Sequence, residues 1–385
     1  MNYQVSDKKL NNNEIWFLIY FIPIFFAKLL NITAENDILK IVAIFSFAAI
    51  VLKTLVSGEK YSYKELAFWC VSGLFGIILM ICSGKEGVLF TIITFFAMRG
   101  VSIKKVLPAL LFAGVIAVLV SMYIERDGQT LIRYQNGSYV TIFKRSNILF
   151  ISFFALVSLF CLYIKNKIGL IHVLLIFVLG FLMFLYTGSR TGLVCLVVLC
   201  LLLLLFKLNI IRNCKFIRLL CVLTPTLLFL AALFMSIYYD KLEFLDKINK
   251  ALEGRLLLSN QFLDEYPIKL FGQKIFESTA SDNFRVLDIA YIDMIISYGA
   301  VFSLLWCIFG GIIINKLIHK RRFVEVAIIL AYGLYGLAET FLTNCFLNVS
   351  LLICGEFFVS LSEKKIINKP QMVRTKGNNE CKFQS

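Results

Sequence analysis

The stretch IGLIHVLLIFVLGFLMFLYTGSRTGLVCLVVLCLLLLLF, Ile168–Phe206, decides the fold. Two apolar runs, 168–187 and 191–206, flank Gly188-Ser189-Arg190, and neither run contains Asp, Glu, Lys or Arg. Each approaches the ~20 residues that a helix needs to cross the hydrocarbon core of a bilayer. Lipid offers the backbone no hydrogen bonds, so such runs form helices that satisfy their own peptide groups. A tight turn between two of them makes a helical hairpin through a membrane.

The same pattern extends in both directions. The chain has 385 residues, of which 59% are hydrophobic and 15% aromatic. Its mean hydropathy is +0.83. A soluble domain is closer to 45–50% apolar, so this composition predicts lipid as the solvent. Twelve spans are expected, at about 15–30, 38–56, 66–82, 87–98, 106–124, 148–164, 168–187, 191–206, 219–238, 288–315, 323–343 and 345–361. Span four is short, and ten or eleven spans also suit the pattern. The first run, Ile15–Leu30, has no small-residue cleavage site after it and reads as a transmembrane helix. The predicted fold class is therefore all-α, a polytopic bundle of ten to twelve helices.

Charge sets the expected orientation. With a cytoplasmic N terminus, every inner segment is basic. The inner side then takes 24 of the 39 Lys and Arg and 8 of the 24 acids, leaving 15 and 16 outside. This is the positive-inside asymmetry. It accounts for the net charge of +15 without nucleic acid as a partner. It also puts both termini in the cytoplasm. The divisions are 1–238, the first nine spans; 239–287, a large extracytoplasmic loop; 288–361, the last three spans; and 362–385, a basic cytoplasmic tail.

The 11 cysteines lie mostly in apolar runs, without CxxC spacing or nearby histidines. They read as small buried hydrophobes, and no metal or other cofactor is expected. Only His172 and His319 occur, both near inner segments, so no histidine is available to an outer site. No internal repeat of the transporter kind is visible.

The outer side carries the candidate chemistry. In Tyr186–Gly192, Ser189 and Thr191 offer hydroxyl donors beside Arg190, a set that suits a phosphate. A tight turn with Arg190 snorkelling to head groups is the plainer reading. In the large loop, Leu242, Leu245, Ile248 and Leu252 predict an amphipathic helix ending near Gly254-Arg255. Arg255 is either a solvated cation or, with Arg285, part of an anion-binding surface. Asp288 and Tyr291 enter span ten on one face, Asp288 serving as a base or as a helix cap. Glu339 lies near the outer end of span eleven with Asn344 just beyond, and a buried carboxylate there needs Arg190 or Arg255 as a partner.

These features resemble the polytopic bacterial O-antigen and capsule polymerases (Wzy-type) and, more distantly, the O-antigen ligases. The resemblance covers most of the chain through its span pattern and large outer loop. Locally it rests on Ser189-Arg190-Thr191-Gly192, on Gly254-Arg255, and on Asp288-Ile289-Ala290-Tyr291 through Tyr298-Gly299. Ligases carry His-Asn where this chain has Asp288-Ile289, which favours a polymerase and leaves the base to be found.

The resemblance implies a GT-C-like bundle in the bacterial cytoplasmic membrane. It implies a metal-independent glycosyltransferase acting on undecaprenyl-diphosphate-linked oligosaccharides, with Arg190, Arg255, Asp288 and Glu339 catalytic. Ser189, Thr191, Arg285, Tyr291 and Asn344 would bind substrate, and flippase and chain-length regulator proteins would be partners. A lipid-linked oligosaccharide flippase and an O-antigen ligase are the rival readings. A flippase would spread its cations along the membrane interior, whereas this chain is expected to put them at the outer face.

Overall fold

The computed structural model describes residues 9–30, 37–56, 58, 61–124, 131–135, 138–142, 147–208, 214–278 and 285–363. The tail beyond residue 363 and most of the Glu125–Asn147 segment lie outside the described residues.

The chain folds as an α-helical membrane protein. Its helices are α1 (Asn12–Leu29), α2 (Asp37–Val56), α3 (Tyr63–Ser83), α4 (Gly87–Ala97), α5 (Ile103–Ile124), α6 (Asn147–Ile164), α7 (Leu170–Thr187) and α8 (Arg190–Leu205). They continue with α9 (Lys215–Ile237), α10 (Phe244–Ala251), α11 (Arg255–Glu265), α12 (Ala290–His319), α13 (Phe323–Tyr335) and α14 (Ser350–Glu363). Each expected span overlaps a helix, although several of those helices are shorter than the span. Among the described residues, six are by themselves long and apolar enough to cross a membrane: α3, α5, α6, α7, α9 and α12. A short hairpin of β1 (Leu131–Gln135) and β2 (Ser138–Ile142), paired antiparallel, lies between α5 and α6 in sequence and leaves the fold class all-α.

Burial separates the inner helices from the lipid-facing ones. In α6, 67% of the apolar window is buried, against 22–39% in the other five long helices, so α6 runs through the centre. Phe150 and Phe154 of α6 are fully buried. The ring of Phe150 packs flat against Gly192 of α8 and occupies the space that any Cβ there would need. The outer faces of α2, α3, α7 and α9 expose Phe45, Leu55, Val71, Ile171 and Phe216. Such faces are stable only against lipid.

Helix ends gather into two polar layers, and each layer contains ends that charge assigns to one side. In the first layer, Asn11 and Glu14 form a capping box at α1. Glu14 also accepts from the amide of Ser102, and Arg99 pairs with Glu65 at 2.8 Å. In the other, Lys28 meets Glu86, and Asn147 donates to Glu339.

Two expectations are corrected. The expected span at 323–343 stops as a helix at Tyr335, because the Leu342 side chain folds back into the position a Cβ on Gly336 would take. Residues 336–349 then run as a buried irregular connection. Its polar groups are met by side chains: Thr91 donates to the Thr343 carbonyl, Tyr332 to Leu347 and Asn348 to Leu342. Glu339 therefore lies in a connection, outside any helix. The other correction is at 288: α12 starts at Ala290 with Ile289 at its N-cap, so Asp288 is no cap. The amphipathic helix α10 is present but begins only at Phe244. It buries Leu245 and half-buries Ile248.

Helix α12 contains a π turn, Met294–Tyr298, which ends at Gly299 with φ +87°. The loop backbone docks into this break. Ala300 and Val301 donate to the carbonyls of Lys269 and Leu270, and Gln273 donates to Ile296. Gly272 has φ +78°, and a Cβ there would collide with the Ser297 carbonyl oxygen. We expect Gly272→Ala to destabilise the protein by about 1–3 kcal/mol through backbone strain alone, measured as lowered thermal stability in detergent. An unchanged melting temperature would mean that the loop does not dock this way.

Candidate functional site

Arg255 is placed by its local sequence. Gly254 takes φ +88°, a conformation most side chains resist, and turns the chain into α11. Asn249 of α10 caps the new helix, its Oδ1 accepting from the amides of Leu256 and Leu257. Arg255 is thus held in the first turn, buried rather than solvated. Its guanidinium pairs with Glu339 Oε1 at 3.0 Å and Asp288 Oδ2 at 3.4 Å, and it donates to the Ala338 carbonyl. Three acceptors on two connections converge on one planar fork, a geometry that Lys cannot reproduce.

Asn147, at the start of α6, also donates to Glu339 Oε1, at 2.9 Å. Glu339 Oε2 accepts no hydrogen bond among the described residues. Burial pushes Glu339 up to about 7 despite Arg255, and the Asp288 carboxylate adds to the rise. Asp288 is raised in the same way, first by burial, with Glu277 and Glu253 reinforcing it against Arg255. Two carboxylates share one guanidinium, so the cluster favours holding one proton near neutrality.

The Ser189–Arg190 turn reaches this cluster through its serine. The Ser189 hydroxyl is buried beside Tyr335, which interacts electrostatically with Glu339 and Arg255. Arg190 itself is exposed in the first turn of α8, with no ion pair among the described residues, and Thr191 is half-buried beside it. Arg190 is therefore available to an incoming anion, whereas Arg255 is committed to carboxylates.

Other candidates lie apart from the cluster. Arg285 pairs with Glu265 and stacks over the Phe262 ring, 4.5 Å from its centroid, clipping the loop to α11. Tyr291 is buried and donates to the Gly333 carbonyl at 2.7 Å. Asn344 accepts from the Phe346 amide within the connection. His172 accepts from the Gly169 amide and His319 contacts the Asn315 carbonyl, both within their own helix ends.

Sequence reading passed over a second charged centre. Lys85, in the turn between α3 and α4, contacts Asp293 at 2.6 Å and Glu277 at 3.6 Å, and Ser297 of the π turn donates to Asp293. Burial alone would lower the Lys85 pKa, but the two carboxylates outweigh it and hold it above its ordinary value. The sequence signal was a lone Lys in a Gly-flanked turn at the end of a span. A separate apolar cavity of about 550 Å³ is lined by residues including Trp69, Trp306, Tyr291, Gly333 and Thr343. Among the described residues, no group of three or more His, Cys, Asp or Glu side chains is placed to hold a metal.

No family model, curated protein or solved structure matches the chain.

Proposed function

We propose that this protein is a membrane glycosyltransferase that joins undecaprenyl-diphosphate-linked repeat units into a polysaccharide. On this reading twelve helices cross the bacterial cytoplasmic membrane in a GT-C-like bundle, with both termini cytoplasmic and the Arg255 cluster outside. The observation that carries it is a largely buried carboxylate, Glu339, raised to about 7, beside a fixed arginine and with one oxygen that accepts no hydrogen bond among the described residues. A general base works best with a pKa near the operating pH.

In the proposed reaction an acceptor sugar hydroxyl attacks the anomeric carbon of the donor glycan. The bond from that carbon to the diphosphate oxygen breaks, and lipid diphosphate leaves with the electron pair. Glu339 Oε2 takes the hydroxyl proton. Arg190 and the N-terminus of α8 face the departing negative charge, where a cation and unpaired amides are most effective. Arg255 acts through Glu339 and Asp288, which replaces the direct phosphate contact expected for it. The 550 Å³ apolar cavity has room for part of a prenyl chain.

The test is conversion of a defined lipid-linked repeat unit into a ladder by the purified protein. Absence of a ladder from folded, inserted protein would falsify the reading. Orientation is checked separately by cysteine labelling at Lys269 and Arg321. We expect opposite faces, with 269 outside, and labelling from the same face would break the arrangement.

A further inference from the structure

The opposite polar layer contains a pocket that the proposed reaction does not use. Its walls come from the turn after α6, the end of α8 and the start of α13. It measures about 80 Å³, room for a group of a few heavy atoms, and is lined by Lys165, Lys207, Arg321 and Glu325 over Phe206 and Phe323. The two aromatic rings stack at 5.6 Å and form an apolar wall.

The charges do not cancel. Glu325 is buried and already shared, with Lys165 at 2.8 Å and Arg322 at 3.0 Å, and Arg322 also pairs with Glu356 at 2.8 Å. Lys207 and Arg321 have no carboxylate partner among the described residues. The backbone is also committed here. Among the described residues, Lys165 (φ 36°), Glu253 and Arg321 (φ 55°) are the non-glycines with positive φ, and two of these three flank this pocket. Left-handed backbone is unfavourable for such residues and persists where the surroundings impose it. Near the pocket, Leu201 and Leu205 expose their side chains on α8, and Leu208 does so just past its end.

We infer that this pocket binds a phosphate group, held by Lys207 and Arg321 with Lys165 behind them. Cations at the end of a membrane helix, above exposed leucines, match a phosphodiester head group with its acyl chains along α8. A soluble phosphate shares that chemistry, and the test separates the two sources. The inference does not depend on the glycosyltransferase reading.

The experiment measures binding of phosphatidylglycerol to the full-length protein in neutral detergent by native mass spectrometry, with phosphatidylcholine as the neutral reference. The variant combines Lys207→Gln with Arg321→Asn, since Asn tolerates left-handed backbone. Two interfacial cations predict roughly thirtyfold weaker phosphatidylglycerol binding in this variant. Lys207→Gln alone, at an exposed position past the helix end, should lose roughly fivefold, and Lys247→Gln on α10 should lose nothing. Displacement of the lipid by millimolar inorganic phosphate assigns the site to a soluble phosphate. Resistance to displacement assigns it to the head group, and both outcomes support a phosphate site. Unchanged phosphatidylglycerol binding in the double and single variants overturns it.

Discussion

Glu339→Gln should stop chain growth, lowering the rate by about 10²–10⁴-fold, the range lost with a general base. Gln keeps the shape of the side chain and can still accept from Arg255 and Asn147, so insertion and folding should survive. Asp288→Asn is the matched control. Asp288 touches only the edge of the guanidinium, at 3.4 Å, so its loss should lower the rate far less. The pH profile has a defined sign. A base must be deprotonated, so the native rate should rise with pH and level off above about 7, where Glu339 loses its proton. The residual rate of Glu339→Gln should lack that limb. Ladder formation at equal protein levels reads both. Full activity from Glu339→Gln, or an unchanged acidic limb, would sink the assignment of the base.

Arg255→Met should destabilise the protein by about 3–5 kcal/mol, since removing one partner leaves buried carboxylates without a counter-charge. The chain accommodates this poorly, because Glu339 and Asp288 are held in connections packed against the bundle. Arg255→Lys retains a charge but cannot reach Asp288, Glu339 and the Ala338 carbonyl together, and should be intermediate. Adding Glu339→Gln to Arg255→Met should recover part of the loss, since it removes one stranded charge. Thermal unfolding in detergent, monitored by intrinsic fluorescence, measures all three. Equal stability of Arg255→Met and the native protein would show that the guanidinium is solvated after all.

The helices were legible because hydropathy reports directly on lipid exposure. Positive-inside counting assigns the helix ends to two sides, and labelling from the two faces of the membrane tests that assignment. Prolines caused no error: Pro23, Pro108 and Pro225 lie within α1, α5 and α9. The end of α13 was not legible. Residues 336–349 keep enough apolar side chains to be read as part of a span, and what lets them leave the helix is hydrogen bonding from Thr91, Tyr332 and Asn348. Hydropathy does not register such bonds. Of the site, Glu339, Arg255 and Asp288 could be named from their expected positions at or near span ends, and the need of Glu339 for an arginine followed from expected burial. That Arg255 takes both carboxylates, leaving Arg190 open, depends on long-range contacts, the one to Glu339 across 84 residues. The Lys85–Asp293 pair spans 208 residues and has no local signature.

The docking of the loop into the π turn limits how a bulky molecule can arrive. Where the helical ladder is broken at Gly299, the amides of Ala300 and Val301 are satisfied by loop carbonyls from Lys269 and Leu270. Lifting the loop would strand those donors at the edge of the bilayer, at a cost of several kcal/mol for each group in hydrocarbon. The loop is thus a poor swinging gate. On the proposed reading, a lipid-linked substrate would then reach Glu339 sideways between helices, at the level where it diffuses in the plane of the membrane.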